Sequence, residues 1–175
     1  MKQEHLEQRQ EIKKNIFDPI VFIGVGFGSG LSKVAPGTMG TIAACPLVYL
    51  MCIMPNIIYL AITIIFFIAG VGICKYICNK AKCHDHPSIV IDEFVGLMVA
   101  CYGIVTEPEW IVLAFILFRF FDIVKPFPIK TIDRKVNNSL GIMLDDVIAG
   151  LFANIGIRLV QNSDLVLSTL RTALN

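Results

Sequence analysis

Apolar residues in this chain come in long stretches, without the period-two alternation of a half-buried strand. The stretches cover about residues 41–54, 57–74, 88–105, 109–124 and 143–160. Their content is Ile, Leu, Val, Phe, Ala and Met, and at these lengths that pattern predicts helices. Turn residues separate them. Pro55-Asn56 divides the first two, and Thr106-Glu107-Pro108-Glu109 divides the third from the fourth. Pro126 and Pro128 end the fourth, and Asn137-Asn138-Ser139 with Gly141 marks a turn before the fifth. No internal repeat, low-complexity tract or second domain is visible. The expected organisation is a polar leader over 1–15, one helical domain over 16–162 and a tail over 163–175.

The polar positions orient these helices. Lys2, Arg9, Lys13, Lys14 and Lys33 precede the first stretch. Lys75, Lys80 and Lys82 lie between the second and third, and Lys125, Lys130, Arg134 and Lys135 between the fourth and fifth. The tight turns at the opposite ends carry no Lys or Arg, and only Arg158 and Arg171 depart from the pattern. The positive-inside rule then places the long basic connections in the cytoplasm. Residues 1–14 mix Lys, Arg, Glu and Gln, and no cleavage pattern follows the short apolar run 20–27, so no signal peptide is expected. A full span needs about 20 residues, and several stretches are shorter. A bundle partly sunk in one leaflet, or a buried core in a peripheral protein, is the alternative.

Against this background five acids stand out: Asp92, Glu93, Asp122, Asp145 and Asp146. Their contexts are SIVIDEFVGLMVA, FILFRFFDIVKP and GIMLDDVIAGLFA. A carboxylate in such surroundings is costly unless paired or metal-bound. By the charge map, Asp92 and Glu93 begin a helix leaving the cytoplasm, Asp122 ends one returning, and Asp145 and Asp146 begin the next. All five therefore reach one depth at one face. Oxygen ligands of this kind suit Mg²⁺, which uses one or two carboxylates with water and substrate phosphate. The plainer reading is an ion pair of Asp122 with Arg119, and a helix-dipole preference for Asp145 and Asp146.

Three further motifs are candidates. Residues 24–41, GVGFGSGLSKVAPGTMGT, hold six glycines, including Gly37 and Gly40, with Ser29, Ser32, Thr38 and Thr41. Such a loop before a helix can cradle an anion through backbone N–H groups, or serve only close packing. It is not a Walker A loop. Arg119, Asp122 and Lys125 share one side of a helix, where the two cations suit phosphate or form an ion pair and a snorkelling lysine. Cys83-His84-Asp85-His86 lacks the second half of a zinc site, although Asp85 shares a helical face with Asp92. No G-x-S-x-G elbow is present.

Composition narrows the class. Of 175 residues, 55% are hydrophobic and 17% charged, and mean hydropathy is +0.71. Soluble domains carry about a quarter charged residues, so the balance leans toward the membrane. A net charge of +1 implies no general affinity for nucleic acid. The six cysteines form no CxxC pair and require no oxidising compartment.

The segments GFGSGLSKVAPGTMGTIAACPL, DHPSIVIDEFVGLMVA, FRFFDIVKPFPIKTIDR and GIMLDDVIAG, in order from about residue 24 to 150, resemble the phosphatidylglycerophosphatase A family. The resemblance implies an all-helical bundle with a central helix in the bacterial inner membrane. It implies a Mg²⁺-dependent lipid phosphatase that converts phosphatidylglycerophosphate and water to phosphatidylglycerol and phosphate. The family's polar positions fall on Thr38, Asp85, Asp92, Glu93, Arg119, Asp122, Lys125, Asp145 and Asp146. The chain departs from the family at Lys33, where proline is usual, at Pro87 and Ile91, and at the Asn137-Asn138-Ser139 turn.

The expectation is thus an all-α, membrane-embedded or membrane-associated bundle acting on a membrane phospholipid, its site facing the cytoplasm. Asp92, Glu93, Asp122, Asp145 and Asp146 are the catalytic and Mg²⁺-binding candidates. Ser29, Gly37, Thr38, Gly40, Thr41, Asp85, Arg119 and Lys125 are the substrate-binding candidates. A small transporter would also bury acids, but near the bilayer midplane with access from both sides. A CDP-alcohol phosphatidyltransferase lacks its D-G-x2-A-R signature here. A structural or assembly protein would leave the buried acids without a purpose.

Overall fold

The computed structural model describes residues 2–83, 85–104, 107–131, 136 and 138–174. His84, Thr106, Arg134, Lys135 and Asn137, singled out above, lie outside them. The described residues form helices without strands: α1 Lys2–Lys14, α2 Pro19–Gly24, a 3-10 segment Gly26–Leu31, α3 Pro36–Cys52, α4 Asn56–Ala81, α5 Ile91–Ala100, α6 Pro108–Val124 and α7 Ser139–Leu174. The all-α bundle expected from the sequence is what the chain forms. The polar leader is α1. The expected tail beyond 163 is backbone-continuous with α7.

Proline and left-handed residues set the helix limits. Pro36 and Pro108 open α3 and α6, where the missing N–H costs nothing. Lys82 and Lys125 take left-handed conformations, with φ of 51° and 45°, and close α4 and α6. Their amides donate to the carbonyls of Cys78 and Phe121.

The centre of the bundle is α5. Val95, Leu97, Met98 and Ala100 are fully buried, and the helix packs against α3, α4, α6 and α7. It has ten residues, about 15 Å, or half the hydrocarbon thickness of a bilayer. It is therefore enclosed by other helices and is not itself a span. Helices α5 and α7 run parallel. Gly96 lies against the backbone of Asp146 and Gly150, and further along Asn154 donates to the carbonyls of Ala100 and Tyr102, both at 2.9 Å. Helix α6 runs the opposite way, with Lys125 at its end beside Asp145.

The outside is apolar. Ile57, Ile64, Ile65 and Ile68 of α4 are exposed, as are Val112, Ile116, Phe120 and Ile123 of α6 and Leu151, Ile155 and Leu159 of α7. Asn56–Ala81 and Ser139–Ser163 are long and apolar enough to cross a membrane, and only 22% of the most apolar stretch of α4 is buried within the protein. Surfaces of this size seek a partner or a bilayer rather than water. The chain is membrane-associated.

Two polar clusters hold this frame without belonging to a cavity of acids. Asp18 caps α2 by accepting from the Ile20 amide at 3.0 Å, and accepts from Tyr76 and Lys80 of α4 at 2.7 Å each. The Lys80 and Tyr76 hydrogen bonds lower its pKa to about 2. At the other end Arg158 donates to Asn154 Oδ1 and the Tyr102 carbonyl. That explains its departure from the loop-charge pattern: it caps the chain leaving α5.

Candidate active site

The glycine-rich segment positions the site without forming its wall. Gly26 and Gly28 have φ of 56° and 96°, which lets the chain turn tightly after α2. A side chain on Gly30 would strike the Ser88 carbonyl, and one on Gly40 would strike Val90. The Val90 amide donates to the Gly24 carbonyl at 2.9 Å. The segment thus clasps residues 88–90, the lead-in to α5, and fixes where α5 begins.

At that beginning Asp92 and Glu93 occupy the first turn of α5. The first turns of α7 bring Asp145 and Asp146, both about 5% exposed. The last two turns of α6 bring Arg119 and Asp122. A cavity of about 220 Å³ opens among them, lined by Asp92, Glu93, Asp122, Lys125, Asp145 and Asp146 together with Asp85 and His86 of the preceding loop. All five acids expected from the sequence converge here, with Asp85 and Lys125.

Two cations hold this acid wall. Arg119 Nη1 lies 2.8 Å from Asp122 Oδ2 and 3.7 Å from Glu93 Oε1. Lys125 Nζ donates to Asp145 Oδ2 at 2.6 Å. They leave an excess of carboxylate. Ligand oxygens of Asp92, Glu93 and Asp146 come within 4.8 Å of one another. Glu93 Oε2 and Asp146 Oδ2 are buried without a hydrogen-bond partner. Burial pushes Asp92 well above the ordinary carboxylate range, with the neighbouring Glu93 charge adding to it. Burial likewise raises Glu93 to about 8, against the opposing pull of its Asp92 hydrogen bond. Orphaned oxygens and clustered acids that resist ionising are what a divalent cation corrects. The donor set, all oxygen, fits Mg²⁺.

The remaining expected residues divide. Gly37 is part of the site's frame, because a side chain there would collide with Glu93 Oε1 and the Arg119 guanidinium. Thr38, one residue on, is half-buried and does not line the cavity. Ser29 donates to the Gly26 carbonyl at 2.8 Å, and Thr41 is fully buried and donates to the Gly37 carbonyl at 2.9 Å. With Gly40 against Val90, these three stand away from the cavity, and their geometry gives packing rather than phosphate contact. His86 belongs to the Cys83-His84-Asp85-His86 motif, which suits a histidine near a phosphate or a solvated loop better than zinc. It is 4% exposed, lines the cavity and accepts from the Ser88 amide through Nδ1 at 3.1 Å. Its place between two acids of the lining, Asp85 and Asp92, was the available signal.

Residues 22–161 match the family model for phosphatidylglycerophosphatase A. The chain belongs to the phosphatidylglycerophosphatase A family. It is 42% identical to phosphatidylglycerophosphatase A of Haemophilus influenzae, over 89% of this chain and 98% of that protein. It is 40% identical to phosphatidylglycerophosphatase A of Escherichia coli, over 78% of this chain and 80% of that protein. A putative phosphatidylinositol-3-phosphatase of Bacteroides thetaiotaomicron is 33% identical, over 81% of this chain and 92% of that protein. No solved structure matches. Family membership makes the chain a phosphatase, and every residue of the acid cavity falls within the matched span.

Proposed function

We propose that the chain hydrolyses the terminal phosphate of phosphatidylglycerophosphate, giving phosphatidylglycerol and inorganic phosphate, at the cytoplasmic face of a bacterial inner membrane. The observation that carries this reading is the acid cavity beside Lys125 and Arg119, at the basic end of a bundle whose outside is apolar. A transporter would place its acids near mid-membrane. Here they gather at helix ends, beside the basic connections.

Asp92, Glu93 and Asp146 would hold Mg²⁺. When bound, the ion supplies Lewis-acid neutralisation of the phosphate's negative charge. The chain's own residues supply the rest. Lys125, at the cavity wall, binds a phosphate oxygen as a point charge. Arg119 keeps Glu93 and Asp122 in place. A water oxygen attacks phosphorus as the bond to the glycerol oxygen breaks. A lining carboxylate outside the trio, from Asp85, Asp122 and Asp145, takes the water's proton. The departing glycerol oxygen takes up that proton from the carboxylate and leaves as an alcohol. Asp145 and Asp146 are buried in the cavity wall, which strengthens these charge interactions.

The test is phosphate release by purified protein in mixed micelles, with phosphatidylglycerophosphate, phosphatidic acid and phosphatidylinositol 3-phosphate compared side by side. The last is included because of the Bacteroides relative's name. Preference for phosphatidylglycerophosphate supports the reading. Preference for the inositol lipid, or no release from any, contradicts it.

A further inference from the structure

We infer that the groove between α3 and α6 is the slot for one acyl chain of the lipid substrate. This rests on the lipid-phosphatase reading above and extends it from the headgroup to the tail. The groove has a volume of about 470 Å³ and is walled by Ile42, Cys45 and Tyr49 of α3 and Ile111, Val112 and Phe115 of α6. No charged side chain lines it.

Its position follows from the two helices that frame it. They are the ones whose site ends carry Gly37 and Arg119, in contact beside Glu93. Ile42 lies about 7 Å along α3 from Gly37, and Tyr49 about 18 Å. On α6, Phe115 lies about 6 Å from Arg119 and Pro108, which also lines the groove, about 16 Å. The groove therefore starts roughly one turn from Gly37 and Arg119 and runs away from them for about two turns. A lipid whose phosphate sits among the acids must lead its tails off in that direction to reach the hydrocarbon.

The slot opens on the exposed apolar flank of α3 and α6. Cys45 and Pro46 are the short residues of its lining, where long side chains would fill it. Of its lining, Ile42, Tyr49 and Val112 are exposed. A water-filled cleft would cost free energy along such walls, whereas methylenes moved onto them gain it.

The test fills the slot. Cys45→Trp and Val112→Trp are compared with the wild type on long-chain phosphatidylglycerophosphate in mixed micelles and on its water-soluble dihexanoyl analogue. Neither residue belongs to the acid site. The slot predicts that KM for the long-chain lipid rises about tenfold, the equivalent of roughly two excluded methylenes, while kcat/KM for the dihexanoyl lipid stays within about twofold. Retained short-chain turnover shows that the variants fold. Equal change on both lipids, or none on either, overturns the slot. Loss on both together with a smaller oligomer in detergent assigns the groove to a second copy of the chain, and also overturns it. If the wild type hydrolyses neither lipid, the proposed activity falls. Binding of the two lipids in detergent then judges the slot by the same criterion: the variants must weaken long-chain binding selectively.

Discussion

Gly96 of α5 and Gly150 of α7 meet backbone to backbone. A side chain on Gly150 would strike the Gly96 carbonyl, and one on Gly96 would strike the Phe118 ring. This contact lets two parallel helices pack closely enough for Asp92 and Glu93 to reach Asp146. Their starts therefore share one depth, and the acids share one cavity.

Gly150→Val should cost stability and activity together. Backbone cannot yield as a flexible side chain does, so overpacking of about 1–3 kcal/mol or more is expected. Thermal unfolding in detergent measures the first effect and phosphate release the second. An unchanged unfolding temperature would contradict the close approach.

Arg119→Ala should be worse than its loss of charge suggests. It leaves Glu93 and Asp122 without their shared cation in a buried cluster. Removing one member of such a cluster typically costs about 3–5 kcal/mol. Arg119→Lys should recover part of the stability but little of the turnover, because a single ammonium cannot span both carboxylates as the planar fork does. Equal rescue of both properties would argue against a bridging role.

Asn154→Ala separates scaffold from chemistry. It removes hydrogen bonds to Ala100 and Tyr102 at the end of α5 remote from the acids. A stability loss of about 1–3 kcal/mol is expected from the buried Ala100 carbonyl left behind, since Arg158 still donates to that of Tyr102. Turnover per folded molecule should stay near the wild-type level. A large fall in kcat without loss of stability would contradict this assignment.

The buried acids also fix a pH dependence for the metal-free protein. Glu93 has its pKa raised from 4.5 to about 8. In that window the folded chain holds a proton that the unfolded chain has lost, so stability is full below 4.5 and falls as pH rises toward 8. Asp18 works in the opposite sense, but its contribution is lost only as pH falls from 3.8 toward 2. With chelator present, the unfolding temperature should therefore decline across the neutral range. Added Mg²⁺ should raise it most at the alkaline end. An unfolding temperature flat with pH would contradict the raised pKa.

The site was legible where charge stood against apolar sequence. Asp92, Glu93, Asp122, Asp145 and Asp146 are visible because a carboxylate among Ile, Phe and Met has few reasons to be there, and the loop lysines gave them a common face. The helix limits were less legible. The second apolar stretch ends near 74, yet α4 runs to Ala81, because Lys75 and Lys80 continue a helix whose buried side is carried by Ile77 and Cys78. The third stretch reaches 105, yet α5 stops at Ala100, because Asn154 and Arg158 of another helix take over its terminal carbonyls. The glycine loop was open to two readings, an anion cradle and close packing. Glycine composition does not distinguish a cradle for an anion from a seat for backbone, and only the contact of Gly30 and Gly40 with residues 88–90 does.

The most direct test of the buried trio is phosphate release from phosphatidylglycerophosphate as a function of Mg²⁺, for the wild type and for Asp146→Asn. Release by the wild type should stop in chelator and return with Mg²⁺, and Asp146→Asn should be slower by about two orders of magnitude or more. Wild-type release undiminished by chelator, or Asp146→Asn turning over at the full rate, would contradict the claim that Asp92, Glu93 and Asp146 hold the ion that hydrolysis needs.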